Sequence, residues 1–437
     1  MKKKDCIKVI GAGLAGCEAA LQIAASGIPV NLYEMKPGMK SPAHNSNLPA
    51  ELVCSNSLKS ISTDNASGIL KREMELLGSV IIESAYCNRV PAGGALAVDR
   101  EGFSQYIYKK IMNNALIEYI HGEATEIKND EITLIATGPL TSEKLAFEIF
   151  NMAGGRMYFF DAAAPIVSAE SIDLDRAFTA SRYGKGTSDY INCPMNRKEY
   201  AKFYNFLINA DTVLLKDFEK TKVFEGCMPV EVMAKRGYDT LRFGPMKPVG
   251  LPDPKSGHDH FAIVQLRAEN IEKTSYNLVG FQTNLKFSEQ KKLLRLIPGL
   301  ENAEIERYGV MHRNTYLKSP GFLNEYFQVE KRKKLFFAGQ LTGVEGYLES
   351  AATGIIAGLN AAKLYKGKDL VSPPTETILG ALASYISYYK GKNFQPMNAN
   401  FGILPPLDEM IKNKKERKSA LASRAIESME RFLEKLS

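Results

Sequence analysis

A glycine-rich turn near the start of the chain constrains the fold more than any other feature. Residues 7–10 are mostly apolar and predict a β-strand, and the Ala-rich residues 18–25 predict a helix. Between these two segments lies a Gly-x-Gly-x-x-Gly pattern, which comprises Gly11, Ala12, Gly13, Leu14, Ala15 and Gly16. A strand, a tight glycine turn and a helix form the first half of a βαβ unit that binds dinucleotides.

Each glycine of the pattern has its own role in such a unit. Gly11 permits the tight turn, Gly13 lets the backbone approach a pyrophosphate, and Gly16 lets the helix pack on the strand. The N-terminus of the helix then directs its positive end at the phosphates. Residues 29–34 predict a second strand that ends at Glu34, whose carboxylate is placed to accept hydrogen bonds from a ribose.

Two later glycine segments favour FAD over a nicotinamide dinucleotide as the bound cofactor. Residues 131–136 predict a strand that leads into Thr137 and Gly138, and residues 335–339 predict another that ends at Gly339, before Gln340. A small-residue helix predicted over residues 344–364 can direct its positive N-terminal end at a flavin ring. A domain that binds NAD alone does not need a second contact segment so far along the chain.

The strand-like segments at both ends of the chain predict a discontinuous first domain. We expect an α/β fold in which an FAD-binding Rossmann-like (two-dinucleotide-binding) domain, residues 1–165 and 325–437, carries an inserted α+β domain, residues 166–324. The middle region is rich in Pro, Gly, Tyr and charge, with short strand-like runs such as residues 261–266. The charged residues 407–436 have helical periodicity and predict a packing helix.

Composition excludes several classes of protein. No apolar run approaches the roughly 18 residues that a membrane span needs, and the basic start runs straight into the first strand rather than into a signal peptide. We therefore expect a cytoplasmic protein that does not bind a membrane. The 6 cysteines form no CxxC pair, so neither a metal cluster nor a disulfide framework is expected.

The net charge of +7 gives a mild preference for polyanions. The basic runs at residues 331–334 and 412–418 are typical of solvated surface, and charge alone does not establish RNA binding.

Two cysteines lie in segments where a thiol could react. Cys54 is followed by Ser55, Asn56 and Ser57, which are good helix caps. A thiol at a helix N-terminus has a lowered pKa, and more of it is therefore the nucleophilic thiolate. A cysteine taken alone is more often a buried structural residue.

The second of these cysteines, Cys227, follows Gly226, which leaves room for a substrate. Pro229 suits the first position of a helix predicted over residues 230–234. Cys227, like Cys54, could instead be a buried structural cysteine.

At these residues the sequence resembles the bacterial folate- and FAD-dependent uracil-5-methyltransferases of the methylenetetrahydrofolate type. The resemblance spans essentially the whole chain. The matching segments are residues 9–16, 50–58, 90–99, 224–234, 243–250, 308–315, 339–352 and 396–406.

The resemblance implies a reaction as well as a fold. The carbon would come from methylenetetrahydrofolate, with FAD as its carrier and NADPH or NADH as the electron source. The product would be 5-methyluridine in the T-loop of tRNA. Cys227 matches the cysteine implicated in attack at uracil C6, and Cys54 matches a candidate for removal of the C5 proton. His312 and Tyr347 would lie near the flavin and folate rings, and the inserted domain would contribute to RNA and folate binding.

A thiol suits this chemistry because uracil C5 is too weak a nucleophile to attack a one-carbon electrophile. Addition of a thiolate at C6 creates an enolate and activates C5, after which a base must remove the C5 proton.

Three alternatives remain open at this point. The same chemistry could act on large-subunit (23S) ribosomal RNA, and the chain departs from the family pattern at Asn45, Lys59 and Gly184. Related flavoproteins modify wobble uridines with a partner GTPase, but they carry a longer C-terminal helical region. The third alternative, from a different functional class, is a non-catalytic RNA chaperone that binds FAD.

Overall fold

A computed structural model of the chain describes residues 6–41, 43–154, 157–158, 161–162, 164–184, 189–213, 228–252, 254, 257, 259–270, 272–309, 311–312, 315–391 and 394–436. The α-helices of these residues are α1 (Leu14–Ala25), α2 (Ala66–Leu76), α3 (Val80–Cys87), α4 (Arg100–Met112), α5 (Glu143–Met152), α6 (Arg197–Asn209), α7 (Val230–Lys235), α8 (Thr240–Phe243), α9 (Phe287–Leu294), α10 (Tyr347–Tyr365), α11 (Ile378–Tyr388) and α12 (Lys414–Glu434). The strands are β1 (Ile7–Ile10), β2 (Val30–Glu34), β3 (Ser57–Ser60), β4 (Arg89–Val90), β5 (Ala95–Val98), β6 (Ile117–His121), β7 (Thr133–Ile135), β8 (Met157–Tyr158), β9 (Asp161–Ala162), β10 (Ile166–Ser168), β11 (Phe178–Thr179), β12 (Tyr190–Met195), β13 (Ala262–Ala268), β14 (Ser275–Leu278), β15 (Ile305–Arg307), β16 (Met311–His312), β17 (Tyr316–Leu317), β18 (Gln328–Val329) and β19 (Arg332–Phe337).

The first domain is built on a sheet of strand order β18-β19-β7-β1-β2-β6. All its pairings are parallel except that of β18 with β19. Its central strands are buried on both faces, which explains their nearly continuous apolar sequences. Strand order reverses between β1 and β7, so the carboxyl ends of these strands border a crevice where ligands bind in such sheets. The predicted α/β class is confirmed.

Helices α1 and α10 pack against each other on this sheet with backbones in close contact. A Cβ atom added at Gly354 of α10 would lie 2.2 Å from the carbonyl oxygen of Ala15, and one added at Gly358 would lie 2.8 Å from that of Ala19. The small residues of α10 therefore bring a segment from late in the chain directly against the first helix.

The inserted domain has an antiparallel sheet of strand order β11-β12-β13-β14-β10-β15. Its buried side chains form a cluster separate from that of the first domain. The short ribbons β8–β17 and β9–β16 lie where the chain passes between the two domains. The strands of this sheet run from Ile166 to Arg307, while the exact domain limits stay a prediction.

Several element limits differ from those predicted. Helix α1 begins at Leu14 rather than at residue 18, because the glycine turn itself ends in the first helical turn. Strand β19 begins at Arg332, so part of the basic run at residues 331–334 is an extended strand whose Lys333 and Lys334 are exposed. Pro229 is the N-cap of α7, one residue before the predicted position.

None of the described helices is both long enough and apolar enough for a transmembrane segment.

The α1–α10 contact gives the first testable prediction. Gly354→Ala should lower the free energy of unfolding by about 2 kcal/mol, because the added methyl group meets the backbone of α1. Helix propensity alone would give the opposite sign, since Ala is favoured over Gly by about 1 kcal/mol within a helix. Urea unfolding measures the difference. Gly94→Ala is the control, because a Cβ there meets nothing within 4 Å, and equal stability of the two variants would contradict the prediction.

Candidate functional site

A continuous cleft runs along the carboxyl edge of the parallel sheet. It consists of two adjoining cavities with about 620 Å³ and 790 Å³ of empty space, including their openings to solvent. Both cavities are lined by Gly13, His44, Glu51, Thr137 and Leu140, which therefore lie at the junction between them. Each of the predicted nucleotide segments that follow β1, β2, β7 and β19 contributes to the wall.

The glycine motif forms the middle of the cleft. Gly11 has φ +98°, a backbone conformation that favours glycine, and a Cβ at Gly16 would lie 1.7 Å from the carbonyl oxygen of Gly11. Gly13 is the N-cap of α1 and has no side chain to cap it, while Leu14 and Ala15 line the cleft. The first-turn N–H groups of α1 are therefore available to an anionic ligand.

Glu34 lies at one end of the cleft with its side chain largely buried. One carboxylate oxygen accepts a hydrogen bond from the N–H of Ala12 (3.1 Å), and the other accepts one from the N–H of Lys36 (3.0 Å). These bonds hold the glycine motif against the end of β2. Because a carboxylate oxygen accepts more than one hydrogen bond, both oxygens retain capacity for ribose hydroxyls.

Cys54 and Tyr347 meet at the opposite end of the cleft. Tyr347 is the first residue of α10, and its phenol oxygen accepts hydrogen bonds from the N–H of Cys54 (2.6 Å) and of Ser55 (3.2 Å). Burial raises the pKa of Tyr347 well above its ordinary value, with a further contribution from Cys54. A neutral phenol thus fixes the backbone that carries the half-buried Cys54 thiol.

The prediction that Cys54 precedes a helix is wrong. Ser57–Ser60 form strand β3, which pairs with β5, and the Ser55 hydroxyl accepts the N–H of Ser57 (3.1 Å) within a turn. Ser and Asn favour turns as strongly as helix caps, which explains the error.

Positive charge at Cys54 comes from arginine side chains. The guanidinium groups of Arg100 and Arg307 both interact electrostatically with Cys54. Arg100 also pairs with Glu269 and donates to the carbonyl oxygen of Leu52. These arginines were missed by sequence reasoning because they lie far along the chain from Cys54, in no recognisable pattern.

The remaining wall of this end comes from the segment around α10. Gly339 (φ +80°) donates its N–H to the Thr353 hydroxyl (2.7 Å), and the Gln340 amide donates to Glu345 (3.0 Å). Gly339, Gln340, Tyr347 and Ser350 line the cleft. The positive end of α10 therefore faces this part of the site.

Polar residues at and beside the junction of the cavities were not singled out in the sequence. Lys36 is buried, forms an ion pair with Glu51 (3.6 Å) and donates to the carbonyl oxygen of Leu48. His44 bonds through Nδ1 to the Ser41 hydroxyl (2.8 Å). Burial lowers the pKa of His44, and the nearby Lys36 charge lowers it further.

Two predicted site residues cannot be placed with their side chains. Cys227 lies outside the described residues. His312 is described only by its backbone in β16, where it pairs with Asp161. In the described part of the chain, no three His, Cys, Asp or Glu side chains are grouped to hold a metal ion.

The other described cysteines are Cys6, Cys17, Cys87 and Cys193, and none of the described cysteines forms a disulfide bond. Burial raises the pKa of Cys17 above its ordinary range and that of Cys193 to about 12, as is typical of structural thiols.

Comparisons with known proteins show the family to which this chain is related. A family model described as Glucose inhibited division protein A matches residues 6–369. The chain is 56% identical over 434 residues to the methylenetetrahydrofolate–tRNA-(uracil-5-)-methyltransferase of Acetivibrio thermocellus, covering 99% of this chain and 100% of the relative. It is 57% identical over 431 residues to the protein of the same name from Halalkalibacterium halodurans, covering 98% and 99%.

Solved structures share the fold. The chain superimposes on Aquifex aeolicus GidA in two crystal forms with a TM-score of 0.71 in each, at 17% and 18% sequence identity. The match covers 98% of this chain and 74% and 76% of the GidA chains. The similarity extends over nearly the whole chain, which supports the predicted α/β fold.

The glycine motif gives a prediction on cofactor binding. Gly13→Val should weaken FAD binding by about tenfold or more, because its side chain would occupy the path of a pyrophosphate. The fold should survive, since a Cβ at Gly13 meets only the Ala136 carbonyl oxygen, at 3.9 Å. Flavin absorbance and fluorescence titration measure the effect, and thermal unfolding monitors the fold. Gly94→Val is the matched control, and full flavin content in Gly13→Val would contradict the placement of the cofactor.

Proposed function

This chain belongs to the family described as Glucose inhibited division protein A and to the group of methylenetetrahydrofolate–tRNA-(uracil-5-)-methyltransferases, and from this membership we propose that it forms 5-methyluridine in tRNA. The methyl carbon comes from methylenetetrahydrofolate and the target is the T-loop uridine. The observation that carries the proposal is the position of Cys54, at the end of the cleft that is capped by Tyr347 and the N-terminus of α10. With tRNA as substrate, we also propose a cytoplasmic location.

The residues of the cleft fit FAD. Glu34 would bind the ribose of the adenosine half, the uncapped N-terminus of α1 the pyrophosphate, and the N-terminus of α10 the flavin ring. These three features follow one another along a single cleft, in the order in which the parts of FAD are joined.

When bound, FAD carries the one-carbon unit from methylenetetrahydrofolate and supplies reducing equivalents that NADPH or NADH restores. The protein's own residues position the uracil and move its protons. Cys54 lines the end of the cleft where the flavin ring would bind, and its thiolate is proposed to accept the C5 proton. The charges of Arg100 and Arg307 favour an anion at this position.

Cys227 is proposed as the nucleophile that adds to uracil C6. Addition of its thiolate forms a C–S bond and an enolate, and C5 then forms its bond to the one-carbon unit. Removal of the C5 proton by Cys54 lets the one-carbon unit separate from its carrier, and the reducing equivalents that bound flavin would supply complete the methyl group. Departure of the Cys227 thiolate from C6 then restores the C5–C6 double bond. Support for this division of roles comes from the resemblance at residues 224–234 and 50–58.

The alternative functions have less support than this proposal. The names of the reported relatives specify tRNA, so action on large-subunit (23S) ribosomal RNA has no support from them. A non-catalytic RNA chaperone would not require a thiol at the flavin end of the cleft. A role with a partner GTPase in wobble-uridine modification is favoured by no contact of the described residues.

A methylation assay tests the proposal. Wild type should transfer label from methylenetetrahydrofolate to unmodified tRNA with NADPH present, and not to unmodified large-subunit rRNA. Cys227→Ala and Cys54→Ala should each lower the rate by at least about 10²-fold, because each removes a reacting group. Cys87→Ala is the control, since this exposed thiol lies away from the cleft.

Each outcome separates the alternatives. Label in rRNA alone would replace the substrate and keep the mechanism. Undiminished transfer by Cys227→Ala would remove the nucleophile from the proposal. A flavin-loaded protein that labels neither RNA would show that the fold is right and the function wrong.

A further inference from the structure

The segment that carries Cys54 is held by side chains of the inserted domain. Arg307 of β15 donates from Nη2 to the carbonyl oxygen of Val53 (2.9 Å), on the N-terminal side of the thiol. Arg267 of β13 donates from Nη2 to the Ser55 hydroxyl (2.6 Å) and from Nε to Oδ1 of Asn56 (2.8 Å), on its C-terminal side. The two arginines thus form hydrogen bonds with residues on both sides of Cys54.

Asn56 completes the connection between the domains. Its side chain is fully buried, and its amide nitrogen donates to the carbonyl oxygens of Ala268 (2.9 Å) and Val98 (3.1 Å). Its backbone carbonyl accepts the N–H of Val98 (3.0 Å). With Arg267 bound to Oδ1, the Asn56 side chain has all its donors and one acceptor satisfied, so its position is defined.

The geometry at Arg267 depends on the guanidinium group. Two donors of one planar fork reach two different acceptors on adjacent residues, which a lysine ammonium cannot reproduce in the same arrangement. Arg267 is only 7% exposed, and burial lowers its pKa from the ordinary value of arginine. Burying a cation costs free energy unless its hydrogen bonds are well formed. An apolar side chain in the place of Arg267 would hold the two segments together at a lower desolvation cost.

We propose that Arg267 is a positioning residue for methyl transfer, which sets the Cys54 thiol at the flavin end of the cleft through Ser55 and Asn56. The inserted domain thereby controls where the thiol lies. None of the described residues of β13 lines either cavity of the cleft. This inference rests on the proposed function, because it assigns the purpose of the contact to the reaction at Cys54.

Arg267→Lys tests the proposal because it keeps the charge and removes the fork. In the flavin-loaded enzyme, kcat for methyl transfer to tRNA should fall by about tenfold or more, since charge-assisted bonds of this strength are lost. KM for tRNA and the rate of flavin reduction by NADPH should stay within about twofold of wild type. Arg295→Lys is the matched control, because Arg295 is an exposed arginine of the same domain.

Alkylation of Cys54 supplies a readout that does not depend on the reaction. Iodoacetamide should modify the half-buried thiol several-fold faster in Arg267→Lys than in wild type, as measured by mass spectrometry of the peptide that carries it. Because the positive charge is retained, a faster rate reports on a looser segment rather than on a larger thiolate fraction. Wild type that transfers no label to tRNA would refute the proposed function, and the alkylation rates would still decide the positioning role.

Ser55→Ala provides a second variant should Arg267→Lys fold poorly. It removes one acceptor of the fork and should reproduce the loss in kcat in part. The double variant should lose little more than Arg267→Lys alone, because both changes break the same interaction. Wild-type kcat and alkylation rate in a folded Arg267→Lys enzyme would overturn the proposal. A loss confined to thermal stability or flavin content would also overturn it.

Discussion

The close contact between α1 and α10 is the constraint on which the site depends. The backbones of these helices approach so closely that Gly354 and Gly358 leave no room for a side chain. This contact places the N-terminus of α10 beside that of α1, although more than three hundred residues separate them in the chain. Two positive helix ends thus share one cleft, and Tyr347 comes within hydrogen-bond distance of the Cys54 backbone.

The segment around Cys54 is irregular, yet it is among the most thoroughly held parts of the cleft. Leu52, Val53 and Ser55 accept hydrogen bonds from arginines that lie on three different elements. Side chains rather than a regular hydrogen-bond ladder fix this backbone. Such precision is what proton removal requires, since a displacement of about 1 Å at a reacting group can cost 10²-fold in rate.

Much of the fold was predictable from local patterns. The glycine motif, the apolar strands and the small-residue helix each depend on neighbours in sequence, so residues 11–16, Glu34 and Gly339 could be assigned to one site before the structure was known. Cys54 was identified by its surroundings and by resemblance, but its predicted helix was wrong because Ser and Asn favour several local structures. Arg100, Arg267 and Arg307 had no signal at all. Their function depends on tertiary contacts with a segment far away in sequence, which no periodicity records.

The electrostatics around Cys54 indicate why arginines rather than apolar residues hold this segment against the inserted domain. Arg100 pairs with Glu269, whereas Arg267 and Arg307 donate to neutral oxygens and retain their charge without a carboxylate in those bonds. Burial makes these charges costly, and well-packed apolar residues would hold two domains together at lower cost. The excess positive charge has a use in a reaction that passes through a thiolate and an enolate, because it stabilises both anions. Arg100 and Arg307, which help to fix the geometry of Cys54, therefore also favour the charge that its chemistry needs.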